Sequence, residues 1–238
     1  MLYFLIPVYN EVDNLELLAK NLINFKYDDE KHFVFVDDCS TDNSVEDIKK
    51  HFAGFPLEVI TKKENGGPGD SFNKGFEWIL SQKPKSKDRI VTLEADNTSD
   101  IGILKTMLTI SNLDYDLVLA SVYAQGGGFV NTSLFRKVLS IIANLFIRNV
   151  LDIKVLTMSS FYRVYSPEVL QAVKAKYETI IEENGFISMV EVLYKAINVD
   201  AKVIEVPMEL NSLNRKGKSK MKIFSTGMSY LKYLMKRK

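Results

Sequence analysis

LYFLIPVYNEVDNLELLAKNLINF, residues 2–25, decides the architecture: an apolar run stops at a polar turn, Tyr9-Asn10-Glu11, and gives way to leucines at helical spacing. A buried strand followed by a crossover helix has this pattern. It repeats outward. Apolar runs at 32–37, 57–61, 89–94 and 117–120 read as further strands, and periodic segments at 45–52, 71–80 and 104–110 read as the helices between them. Strict alternation of this kind predicts an α/β protein with a mostly parallel central sheet covered by helices on both faces. The second half is less regular. A Gly-rich loop at 126–128 precedes an apolar helix at 134–151, then come a short strand near 160–165, helices at 167–176 and 185–197, and a strand at 201–206 closed off by Pro207. Neither a repeat nor a low-complexity linker divides residues 1–219, which read as one domain with a regular half at 1–120 and a less regular half at 121–219; a basic amphipathic helix at 220–238 follows.

Ligands of parallel sheets sit beyond the carboxyl ends of the strands. Three acidic clusters fall there: Glu11, Asp37 with Asp38, and Glu94 with Asp96. Helix capping explains any one of them, by Ser40 or Asp42 for the second helix and by Asp100 after the fourth strand. Three converging clusters point instead to a hard divalent cation, Mg²⁺ or Mn²⁺, with oxygen ligands. Asn65-Gly-Gly-Pro-Gly69 supplies main-chain amides able to approach a phosphate, without the Lys-Ser/Thr of a Walker loop. His32 and His51 are remote from these clusters and read as structural, and no Ser/His/Asp triad is present.

Composition narrows the function classes. The 238 residues are 46% apolar and 26% charged with a formal net charge of +1, but nine Lys or Arg and no Asp or Glu lie between Arg215 and Lys238. A tail of that sign suits an anionic membrane, a phosphorylated substrate or nucleic acid; nucleic acid ranks last, because no aromatic platform or known module accompanies the charge. The opening residues lack the basic start and cleavage site of a signal peptide, and polar residues from Asn144 to Lys154 interrupt the most apolar stretch. The lone Cys39 forms no internal disulfide. A cytoplasmic protein, peripheral on the membrane and without a transmembrane helix, is the expectation.

IPVYNE at 6–11, VDDCSTD at 36–42, NGGPGDSFNKG at 65–75 and EAD at 94–96, in this order and spacing, resemble the donor-site segments of family 2 glycosyltransferases, which have the GT-A (nucleotide-diphospho-sugar transferase) fold. The second half, through YAQGGGF at 123–129, Arg136 with Ser140, 160–165, Gly185-Phe186 with Glu191, EVP at 205–207 and RKGKSKM at 215–221, is similar to dolichol-phosphate mannosyltransferases and other polyprenyl-phosphate glycosyltransferases. The resemblance implies a nucleotide-sugar pocket lined by Pro7, Tyr9, Glu11, Asp37, Asp38, Gly67, Asn73, Glu94 and Ala95. It implies that Glu94 and Asp96 replace the D-x-D pair at the metal, with Thr98 as a third ligand candidate. Arg136, Ser140, Arg215 and Lys220 match acceptor-phosphate positions, and Asp96, Arg136, Ser140 and Arg163 are the catalytic candidates. Two departures stand out: Val122 lies where relatives carry an arginine, and Thr157 where they carry an aspartate.

Breaking a glycosyl phosphate bond builds charge on the leaving diphosphate, which a metal and cationic side chains must hold. A hydroxyl acceptor further needs a general base. The usual acidic pair after Gly185-Phe186 is absent, which favours an acceptor that is already anionic, a polyprenyl or dolichyl phosphate, attacking with inversion and drawing sugar from GDP-mannose or a UDP-sugar. Two alternatives remain: a hydroxyl of a cell-surface glycan or lipid with Glu191 or another carboxylate as base, and a catalytically degenerate binding protein. In the last helix Phe224, Met228, Leu231 and Met235 recur at helical spacing among Lys222, Lys232, Lys236 and Arg237, a pattern that either lies on anionic lipid or docks on the chain's own core.

Overall fold

The computed structural model describes residues 1–217 and 223–236. Its centre is a seven-stranded sheet in the order β3-β2-β1-β4-β7-β5-β8, formed by β1 (Leu2–Val8), β2 (Lys31–Asp37), β3 (Leu57–Thr61), β4 (Arg89–Thr92), β5 (Leu117–Ser121), β7 (Arg163–Tyr165) and β8 (Val203–Pro207). All neighbouring pairs are parallel except those of β7, which runs antiparallel to both β4 and β5. That reversal positions the site: the segment entering β7 arrives at the rim where the parallel strands end.

Alternation along β1 sends Leu2, Phe4, Ile6 and Val8 into the layer formed with helices α1 (Val12–Asn24), α2 (Ser44–His51) and α4 (Leu104–Ser111). Tyr3 and Leu5 face the other way, into the core shared with α3 (Gly67–Ser81), α6 (Pro167–Tyr177) and α7 (Ser188–Ile197). Both faces are thus covered, as a strand with two apolar faces requires.

The local differences from the sequence reading have physical causes. β4 stops at Thr92, not 94, because the chain turns out of the sheet toward the rim. Helix α3 begins at Gly67, so the Gly-rich stretch is its first turn; Gly67 has a φ of +83°, and a Cβ on Gly69 would stand 1.9 Å from the Glu183 carbonyl. Only glycine meets both demands. The expected loop at 126–128 is partly strand: β6 (Gly128–Val130) pairs in parallel with β9 (Glu209–Asn211), a partner distant in sequence and invisible to local periodicity. The helix expected from 185 starts at Ser188.

Helix α5 (Leu134–Leu151) stands on the rim, and α8 (Ile223–Lys236) lies against it. Tyr233 and Leu234 of α8 are buried in the main core, whereas Met228, Leu231 and Met235 face outward. The docking expectation for the last helix therefore holds on its Tyr233 and Leu234 face; Lys222, Arg237 and the Phe224 side chain lie outside the described residues. Among the described residues no helix is long and apolar enough to cross a membrane.

Candidate active site

A cavity of about 670 Å³ opens above the carboxyl ends of β1, β2, β4 and β5. Pro7, Tyr9, Glu11, Asp38, Gly67, Glu94, Ala95, Asp96 and Thr98 line one half; Arg136, Ser140 and Arg215 line the other. Asp38 and Asp96, distant in sequence, therefore share one cleft.

Asp38 is buried and saturated. Its Oδ1 accepts from Lys62 Nζ at 2.5 Å and from the Gly66 amide at 2.8 Å, and its Oδ2 accepts from the Gly67 amide at 2.8 Å. This carboxylate pins the Gly-rich turn beside the cavity, with buried Lys62 offsetting its charge. Asp37 points elsewhere. It ends β2 on the Phe33 and Phe35 side and accepts from the Ser40 amide at 3.2 Å, so it shapes the turn rather than the pocket. The capping reading is correct for Asp100, which accepts from Gly102, but not for the second helix, whose N-cap is Asn43 without a side-chain cap bond. Asp42 accepts from Val12 and Ser44, joining the first turns of α1 and α2. Asn73 also misses the cavity: its Oδ1 accepts from the Ile181 amide.

At the end of β4 the charge balance is different. Burial, reinforced by the neighbouring Asp96 carboxylate, pushes Glu94 up to about 8. Asp96 Oδ1 accepts from the Thr98 amide at 3.0 Å and the Thr98 hydroxyl at 2.7 Å. Thr98 thus orients Asp96, and its hydroxyl proton is spent there. Asp96 Oδ2 accepts from both Nε (2.7 Å) and Nη2 of Arg215. Among the described residues no three His, Cys, Asp or Glu side chains form a ready metal cage. Two carboxylates side by side at the rim nevertheless fit a hard cation, which takes one or two protein oxygens and completes its shell with phosphates and water. Glu94 and Asp96 are the residues that would hold it.

The acceptor half is neutral apart from arginine. Arg136, Leu139, Ser140, Ala143, Asn144 and Ile147 of α5 form a stripe at helical spacing along the cavity. The Ser140 hydroxyl is 2.7 Å from the Tyr123 hydroxyl. Val122 lines the wall, and the Thr157 hydroxyl meets that of Ser121 at 2.5 Å, a neutral pair where the resembling enzymes carry charge. Tyr230 of α8, its hydroxyl pushed up to about 12 by burial, closes the far side.

Beneath this wall the 156–162 segment is clamped from three directions. Asn144 takes the Leu156 carbonyl and the Met158 amide, Glu205 accepts from the Leu156 and Thr157 amides, and Arg163 donates to the Ser160 carbonyl at 2.7 Å and the Met158 carbonyl at 3.0 Å. Arg163 is fully buried and does not reach the cavity, which corrects its place among the catalytic candidates. β7 starts at this residue and turns its side chain under the loop. Glu191 is likewise sealed, accepting from the Glu182 and Glu183 amides and paired with Lys195 at 2.8 Å. It touches no part of the cavity and has no place as a base there. Lys220 lies outside the described residues.

Asn14 is a residue that sequence periodicity passes over. It is 2% exposed among the leucines of α1 and joins three segments of the donor rim. Its Nδ2 donates to Glu11 at 2.6 Å and to the Lys216 carbonyl at 3.1 Å, its Oδ1 accepts from the Lys216 amide at 2.8 Å, and its carbonyl accepts from Asn97. The available signal was a polar residue at a buried position of an amphipathic helix.

Comparison with known proteins adds the following. The family described as "Glycosyl transferase family 2" matches residues 3–174. The chain is 27% identical over 206 residues to a polyprenol monophosphomannose synthase of Mycolicibacterium smegmatis, covering 86% of this chain and 75% of that one. It is 27% identical over 205 residues to an undecaprenyl-phosphate mannosyltransferase of Micrococcus luteus, covering 86% and 81%. In structure it is similar to glucosyl-3-phosphoglycerate synthase of Mycobacterium tuberculosis in complex with Mn²⁺ and UDP-glucose, with a TM-score of 0.64, 15% identity, and 96% and 76% of the two chains covered. That likeness carries the fold, a GT-A-like α/β architecture.

Proposed function

The chain belongs to glycosyl transferase family 2, and from that premise we propose that it moves a sugar from a nucleotide diphosphate onto a polyprenyl phosphate presented at a membrane surface. The observation that carries the acceptor is the chemistry of the wall built by α5 and the 156–162 segment. It offers Arg136 and hydroxyl groups, and among its described residues no Asp, Glu or His. A hydroxyl acceptor would find no base there to take its proton. A phosphate monoester is already an anion and needs only a cation to seat it.

The residues divide the work. Pro7, Tyr9 and the turn held by Asp38 form the floor on which the nucleotide rests, and Glu94 and Asp96 hold a divalent cation. That cation, when bound, offsets the charge that develops on the leaving diphosphate. Arg136 and Ser140 seat the acceptor phosphate; one of its oxygens forms the new bond to the anomeric carbon as the bond to the diphosphate breaks on the opposite side, inverting the centre. No proton is transferred. The two relatives are named for mannose transfer to polyprenyl carriers, which makes GDP-mannose the first donor to test and UDP-sugars the second.

Helix α5 supports the membrane reading. Opposite its cavity stripe, Leu134 (76%), Phe135 (71%) and Ile142 (59%) lead an exposed apolar face, and Met228, Leu231 and Met235 of the adjacent α8 are exposed as well. An exposed apolar face suits a lipid surface, and the Lys and Arg of both helices suit anionic headgroups. Radiolabelled sugar from the donor is expected in an acid-labile lipid extracted into organic solvent. Label confined to water-soluble glycan would sink the proposal.

A further inference from the structure

Arg215 sits where a positive charge is already needed. Its guanidinium grips Asp96 Oδ2 through Nε and Nη2, while Thr98 occupies Oδ1 with two hydrogen bonds. Asp96 therefore has no oxygen turned to the cavity without a partner. A cation bound through a carboxylate oxygen stands roughly 2.1 Å away, inside the space of the two arginine N–H groups. Two positive groups that close repel strongly, so one must leave.

The main chain around Arg215 is fixed on both sides. Upstream, β9 is paired with β6, the Asn211 amide donates to the Thr98 carbonyl at 3.2 Å, and the Ser212 hydroxyl meets that of Thr132 at 2.7 Å. Downstream, the Lys216 amide and carbonyl are both bonded to the Asn14 side chain. What is left to turn is the Arg215 side chain, which already lines the cavity.

We propose that Arg215 and the divalent cation exclude one another at Asp96, and that Asn14 is the positioning residue that holds the pivot. This rests on the donor reading above. Without donor, Arg215 neutralises Asp96. When the donor arrives with its cation, the guanidinium is displaced and the same positive charge becomes available to phosphate oxygens, for which its planar fork is suited. The charge of Arg215 is thus used twice, and donor binding precedes productive acceptor binding.

The test is Mn²⁺ binding to the whole protein without nucleotide, followed by the loss of the free-ion electron paramagnetic resonance signal. Arg215→Ala is expected to tighten Mn²⁺ binding about fivefold or more, the scale of a well-aligned ion pair. Asn14→Ala keeps Arg215 and every formal charge, and is expected to tighten it as well, because the guanidinium loses its fixed base. A merely structural role for Asn14 would weaken metal binding or leave it unchanged. Unfolding melts establish that both variants are folded. Parent-like affinity in Arg215→Ala overturns the exclusion; tightening in Arg215→Ala alone overturns the pivot and leaves net charge as the cause. Failure of the donor reading looks different: the parent then takes up no Mn²⁺ even with GDP or UDP present.

Discussion

Along the rim where β1, β2 and β4 end, Asp37, Asp38 and Asp96 are buried and held by main-chain amides of nearby turns. Across the cavity, α5 exposes most of its length to solvent, with only Asn144 and Ile147 buried, and the loop beneath it is held by side chains from α5, β7 and β8. The first arrangement suits a compact, highly charged ligand that must always be placed alike. The second suits a long apolar one that approaches from outside and brings its own anion.

If the rim is a preformed charge site, Asp96→Ala should lower the transfer rate about a thousandfold, the scale of losing a group that holds charge on a leaving group; it should also abolish the thermal shift produced by nucleotide with Mn²⁺. An unchanged rate would remove the donor side of the comparison. Arg163→Met probes how the opposite wall is supported. It leaves the Ser160 and Met158 carbonyls without their donor in a buried place, and urea titration should show a stability loss of about 3 kcal/mol. A loss of activity at unchanged stability would instead return Arg163 to the chemistry.

Arg136→Ala should separate the two halves. Catalytic efficiency toward the lipid phosphate is expected to fall about thirtyfold, the value of a charge-assisted hydrogen bond, with nucleotide affinity unaltered. Equal damage to donor binding would mean that the halves are not distinct. The smallest effect belongs to the outer face: Ile142→Asp with Phe146→Asp should weaken flotation with anionic liposomes about tenfold while the melting temperature stays put, because both side chains are exposed. Unaltered flotation would assign the apolar face to something other than lipid.

The legibility of the two halves in sequence follows the same division. β1 and α1 were readable because their contacts are periodic and local, and Glu11, Asp38 and Asp96 because each closely follows a strand in an α/β order. Arg163 and Glu191 were misjudged for one reason: a charged residue near a strand or helix start has two possible sides, and only packing decides which one meets the cavity. Asn14 was missed because its partners at Glu11, Asn97 and Lys216 span the chain.

The amino-acid order alone determined the class of fold, the strands of the parallel half and the segments that gather at their ends, since hydrophobic period and turn chemistry act over a few residues. Tertiary structure alone decided that β7 reverses and brings the 156–162 loop to the rim, that Thr98 and Arg215 divide the oxygens of Asp96, and that α5 keeps one apolar face outside. Those outcomes depend on which distant surfaces meet, and on where a buried charge finds its counter-charge, neither of which any short window of sequence contains.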